Sequence, residues 1–204
     1  MRNPPDRQSP RLRRRLAMVA ALALAVGCPP AHAADAPRPR AAEVPARPWW
    51  GGWEVRAGAF AHDPSSPERG SLDLSLQALT PPLIAFGNGF EFIVPRLHAG
   101  ASINFAGKTT VGYAGLAVDF NITKAIFLEG TFGGAVENGY TGSVKRAGRS
   151  MVGCNGSFHE SGSLGYRIDE HWSVLATIEH SSNAGLCAQN RGITNYGARL
   201  AYVF

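Results

Sequence analysis

Nowhere does this 204-residue sequence hold an uninterrupted apolar run long enough to cross a bilayer as a helix. Residues 16–26 come nearest, and they fall well short of the ~20 residues a helical span needs. Helical periodicity is scarce throughout, which excludes a bundle of amphipathic helices. Cysteine is scarce as well: three in all, with only Cys154 and Cys187 beyond the N-terminal segment. No second pair of His or Cys has ligand spacing, which argues against a zinc site. The basic excess is also missing from most of the chain. Residues 1–33 hold six Arg and one Asp, the whole of the formal +5, and leave 14 basic against 14 acidic side chains in the rest. A nucleic-acid-binding role therefore loses its main support.

The basic N-terminus has another reading. Arg11, Arg13, Arg14 and Arg15 precede the apolar run, and Ala31-His32-Ala33 follows it as a small-residue cleavage signal. Residues 1–33 are thus expected to be a secretory signal peptide cut after Ala33. Residues 34–48, rich in Ala, Pro and Arg, read as a flexible periplasmic lead-in. In an oxidising compartment an even cysteine count favours a disulfide over a metal centre.

From residue 49 to 204 the dominant pattern is a period of two, the signature of strands with one apolar face. Leu72, Leu74, Leu76 and Ala78 alternate with Ser71, Asp73, Ser75 and Gln77. Leu97, Ala99, Ala101, Ile103 and Phe105 alternate with Arg96, His98, Gly100, Ser102 and Asn104. With residues 53–63, 109–120, 126–137, 151–167, 171–182 and 193–204, eight strands are expected, each long enough to cross an outer membrane.

The polar faces decide between a soluble sandwich and a membrane barrel. They carry Glu54, Arg56, Asp73, Arg96, Asp119, Glu129, Arg167, Glu179 and Arg199, charges of both signs that a small closed barrel can pair inside. The C-terminus, Ala198, Leu200, Tyr202 and Phe204, alternates up to a terminal aromatic, as in many outer-membrane barrels. The expected fold is all-β: an eight-stranded antiparallel transmembrane β-barrel over residues 49–204. With both termini periplasmic, connections 64–70, 106–108, 137–150 and 183–192 fall outside, which brings Cys154 near Cys187. His98 and His159 fall on the inward face, and Lys145, Arg146 and Arg149 lie in an external loop.

One stretch does not fit a purely structural barrel. His180 and Ser182 share the apolar face of the seventh strand with Trp172, Val174, Ala176 and Ile178. A serine nucleophile needs a base in reach, and a developing oxyanion needs a donor, for which Asn183 is adjacent. Such a pair on an apolar surface makes sense where that surface faces lipid and lipid is the substrate. The spacing alone also suits an interfacial polar cap.

His180-Ser181-Ser182-Asn183-Ala184-Gly185, followed by Gly192-Ile193 and a short terminal strand, resembles the active-site hairpin of the PagL-type lipid A 3-O-deacylases, acyloxyacyl hydrolases of the outer membrane. The resemblance implies an esterase acting on lipid A of lipopolysaccharide in the outer leaflet, with Ser182 as nucleophile, His180 as base and Asn183 at the oxyanion. It implies no metal and no cofactor, and a homodimer stays open. One position departs: where the family has its triad glutamate, after Gly-Ile, this chain has Thr194. Either Thr194 or Asn195 orients His180 alone, another carboxylate substitutes, or activity is lost.

The substitute within reach is Glu160 on the sixth strand. If Tyr166 lies opposite Trp172, Glu160 is a diagonal neighbour of His180, unless a bulge turns it inward. Glu179 is expected to point inward to Arg199. The alternatives to a lipid A deacylase are a non-enzymatic outer-membrane barrel with a structural or surface-binding role and a soluble periplasmic binding sandwich.

Overall fold

The computed structural model describes residues 51–84, 86, 89, 90 and 92–204. The expected signal peptide and lead-in lie outside the described residues. Eight strands follow in order: β1 (Glu54–Ala61), β2 (Leu72–Leu79), β3 (Ile93–Asn104), β4 (Val111–Asn121), β5 (Ile126–Glu137), β6 (Gly156–Arg167), β7 (Trp172–Ser182) and β8 (Ile193–Val203). Each pairs antiparallel with its sequence neighbours, and β1 pairs with β8 to close the barrel. Closure leaves no free edge.

The alternation seen in the sequence becomes the two faces of the wall. All nine charged residues expected on the polar face are buried inside. Burying them costs several kcal/mol each unless partners compensate, and here partners are dense. Arg56 forks onto Glu129 with both bonds at 2.7 Å, and also meets Glu54 at 2.9 Å and Gln77 at 3.2 Å. Arg199 donates to Glu179 at 2.7 Å, to the Tyr113 hydroxyl at 3.0 Å and to Ser75 at 2.9 Å. His98 and His159 are buried in the same interior, where His159 stacks on Tyr113.

Outside, the exposed residues are Leu74, Leu76, Leu97, Leu116, Phe132, Leu164, Ile178, Leu200 and others like them. An apolar belt around the whole perimeter is untenable in water and natural in lipid. The fold is an eight-stranded transmembrane β-barrel, and the sandwich alternative is excluded by closure. Trp172, Tyr202 and Phe204 cluster edge to face where β8 ends, as interfacial aromatics do.

Loops 62–71, 105–110, 138–155 and 183–192 gather at the end away from Phe204. One expected boundary moves there: β6 begins at Gly156, not at residue 151. Met151 instead bridges to Tyr140, and the Val152 N–H donates to the Tyr140 carbonyl at 2.9 Å, which folds 138–155 into a packed loop. Cys154 and Cys187 form a disulfide, with Cα atoms 6.1 Å apart.

Beneath these loops, His62 donates to Asp73 at 2.8 Å and to Glu68 at 3.0 Å. Burial opposes its charge, but the bonds to Asp73 and Glu68 win and raise the imidazole to about 9. Burial likewise opposes ionisation of Glu68, yet bonds from His62 and from the Ser150 and Thr109 N–H groups lower it to about 2. Arg149, expected in an external loop, is tied down there: it donates to the Asn138 carbonyl at 3.3 Å and lies 3.5 Å from Glu68.

Candidate active site

His180 and Ser182 sit at the loop end of β7, half-buried on the outward face, while Glu179 and Ser181 point inward. Strand pairing brings one polar residue to each side of His180. On β8 its partner is Thr194, and on β6 it is Glu160. Thr194 and Glu160 both face outward, so no bulge turns Glu160 into the barrel.

The β6–β7 register differs from expectation. Tyr166 lies opposite Val174 and not Trp172, which moves Glu160 from a diagonal to a direct neighbour of His180. The cause is the turn. The Asp169 side chain accepts the His171 and Trp172 N–H groups, both at 2.8 Å, and so centres the hairpin one residue later than expected. Moving the centre by one residue shifts partners by two, and side chains keep their faces.

The imidazole has a defined orientation. His180 Nδ1 lies 2.8 Å from Thr194 Oγ1. If Nδ1 carries the proton it donates to that hydroxyl, and Nε2 is left with a free lone pair. Gly192 makes room for the ring: a Cβ there would stand 2.4 Å from His180 Cε1 and 2.8 Å from Nε2. Gly192 thus has a steric task that its place in the sequence motif did not reveal. Glu160, exposed in the lipid-facing wall, makes no hydrogen bond or ion pair among the described residues.

Asn183 is placed differently from expectation. It is buried, and its amide donates to the carbonyls of Val152 and Gln189, both at 2.7 Å. Its Oδ1 accepts from the Gly185 N–H at 2.9 Å, and its own N–H donates to Asn190 Oδ1 at 2.9 Å. Every donor it has is engaged in holding the turn after Ser182. Asn195, the other residue expected to orient the imidazole, points inward and bonds Asp73 and Glu179, both at 3.0 Å. It therefore stands on the opposite side of the wall from His180.

A residue without a sequence signal completes the surroundings. Asp63, in the loop after β1, accepts the Thr194 N–H on Oδ1 at 3.3 Å and donates its own N–H to Asn195 Oδ1 at 3.0 Å. No group of three or more His, Cys, Asp or Glu able to hold a metal ion occurs among the described residues.

Comparison with known proteins gives a partial family match. Residues 117–203 match the sequence model of the family described as lipid A 3-O-deacylase (PagL). That span runs from β4 to β8 and includes Glu160, His180, Ser182 and Thr194. The crystal structure of the outer membrane enzyme PagL is similar, with 19% identity and a TM-score of 0.58 over 72% of this chain and 97% of that one. At that identity the likeness is one of fold. A de novo designed transmembrane β-barrel has 11% identity and a TM-score of 0.48, covering 76% of this chain and 96% of its own. The N-terminal barrel domain of Pseudomonas aeruginosa OprF has the same identity and TM-score, with 76% and 99% covered. No curated protein matches.

Proposed function

We propose that this chain is a lipid A deacylase of the PagL type: an outer-membrane serine esterase that hydrolyses an ester-linked acyl chain of lipopolysaccharide. The carrying observation is a serine two residues from an oriented histidine on the lipid-facing wall, with His180 Nδ1 held 2.8 Å from Thr194 Oγ1. The proposal includes export through a signal peptide over residues 1–33 and a loop end that faces outward from the cell. The substrate ester then reaches the site sideways, from the outer leaflet.

In this reading His180 Nε2 accepts the Ser182 hydroxyl proton as Ser182 Oγ attacks the ester carbonyl. The imidazolium returns the proton to the leaving alkoxide, which gives an acyl-serine. Water, deprotonated by the same Nε2, releases the fatty acid and regenerates Ser182. Thr194 fixes the tautomer but adds no charge, so the rate falls below that of a full triad by up to roughly 10⁴. Asn183 is assigned to shaping the turn beside Ser182, because its N–H groups are already engaged. Glu160 flanks the imidazole without bonding to it. An unpaired outward carboxylate among Phe132, Phe158 and Ile178 is costly in lipid and so points to a use at this site.

The test is mass spectrometry of lipid A from cells carrying the intact protein, Ser182→Ala, or no protein. Loss of one acyl chain only with the intact protein is expected. Unchanged lipid A in all three sinks the esterase reading and leaves a non-enzymatic barrel in its place.

A further inference from the structure

The site as described has an orienting group with no charge, yet a carboxylate stands behind that group. Asp63 is 3% exposed. One of its oxygens accepts the Thr194 N–H at 3.3 Å, and the other, Oδ2, is buried without any hydrogen-bond partner. A buried carboxylate oxygen left unpaired is destabilising. The backbone at Asp63 is also in the left-handed region, with φ of 34°. Only a few residue types tolerate that conformation, Asp and Asn among them. Its position is pinned from both sides, by Asn195 Oδ1 on its N–H and by the Ser66 N–H on its carbonyl at 3.0 Å.

The chemistry around Thr194 gives these features a shared explanation. For His180 Nε2 to act as base, Nδ1–H must donate to Thr194 Oγ1, and the threonine hydroxyl proton then needs an acceptor of its own. The unpartnered oxygen belongs to the side chain already bonded to the Thr194 backbone. We infer that Asp63 is a positioning residue for the proposed esterase: acting through Thr194, it supplies the negative charge that position 194 itself lacks. The order across the wall is then Asp63, Thr194, His180, with the charge one residue further back than in a triad. Asp63 comes from the loop after β1, outside the residues that match the family. The titratable groups facing this histidine are Glu160 from β6 and Asp63 behind β8; Glu179, on its own strand, points inward to Arg199.

This inference rests on the esterase reading, and its test separates the two. Asp63→Asn is the informative variant, since Asn keeps an acceptor for the Thr194 N–H and tolerates positive φ while losing the charge. With a lipid A ester in detergent micelles, Asp63→Asn should lower kcat by roughly 10- to 100-fold with KM little changed. In a Thr194→Val background the same substitution should have much less effect, because the intermediary is gone. A second readout needs no turnover. In the Ser182→Ala barrel, the His180 Nδ1–H signal followed by NMR should move once Asp63 is Asn, since the hydroxyl it bonds loses a charged acceptor. Asp63→Glu should restore part of both effects. An unchanged His180 Nδ1–H signal, or an equal loss of kcat with and without the threonine hydroxyl, overturns the role of Asp63. A wild type that hydrolyses nothing overturns the esterase reading, while the Nδ1–H signal still decides whether Asp63 acts on His180.

Discussion

The two faces of this barrel wall use polar side chains in opposite ways. Inside, each cation at the centre of the network has several partners: Arg199 alone bonds Glu179, Ser75 and Tyr113. Outside, four polar residues, Glu160, His180, Ser182 and Thr194, stand in an apolar belt with one side-chain bond between His180 and Thr194. The interior cations are held by that network. The four outer residues share the single bond between His180 and Thr194. On the reading proposed above, location relative to the wall, more than residue type, separates structural from functional polar groups.

The largest effect expected from breaking this contrast is on the outer face. Thr194→Glu puts a carboxylate beside His180 Nδ1 and should raise the hydrolytic rate, toward the roughly 10⁴ that a missing triad acid costs. Thermal stability should hardly change, because the outer site holds nothing together. Steady-state rates on a micellar ester give the answer, and an unaltered rate means that Thr194 does not orient the imidazole.

On the inner face the sign reverses. Glu179→Gln or Arg199→Met should each destabilise the barrel by about 3–5 kcal/mol, since each strands a buried charge. Together they should cost less than the sum of the two. Urea unfolding of the three variants measures the coupling, and additive losses would show that the pair is not a unit.

The smallest effect is in pH, where loop and barrel meet. His62 titrates near 9 when folded and near 6.5 when free, so its contribution is complete below about pH 6.5 and disappears as pH rises through 9. The loop end should therefore become more open to protease between pH 7 and 9.5, with a rate profile centred near the His62 value. His62→Gln should flatten that profile. A profile that His62→Gln leaves unaltered would assign the pH dependence to another group.

Faces were legible in the sequence, because alternation fixes which residues point in or out regardless of pairing. His180, Ser182 and Thr194 could be placed outward, and the nine interior charges inward, on parity alone, while Glu160 stayed open to a bulge. Register was not legible to the same degree. Parity is blind to shifts of two, and the Asp169 turn that set the β6–β7 register acts through side-chain bonds to two backbone amides. Asn183 read as an available donor beside the nucleophile because its engagement depends on Val152 and Gln189, contributed by other parts of two loops. Asp63 carried no signal at all. It meets Thr194 only when β1 pairs with β8, a contact between residues at the two ends of the barrel sequence.

The disulfide divides the site by the way its parts are held. Cys154 and Cys187 are 33 residues apart and enclose the whole of β6 and β7 in one covalent ring. Glu160, His180 and Ser182 lie within that ring, and Thr194 and Asp63 lie outside it. The ring is a single hairpin, so the bond does not depend on β8 having met β1. In a chain whose barrel is still open, the ring holds His180 and Ser182 together, but not Thr194 and Asp63. On the assignment proposed above, chemistry starts when the last seam of the barrel closes, and assembly itself is the activating step.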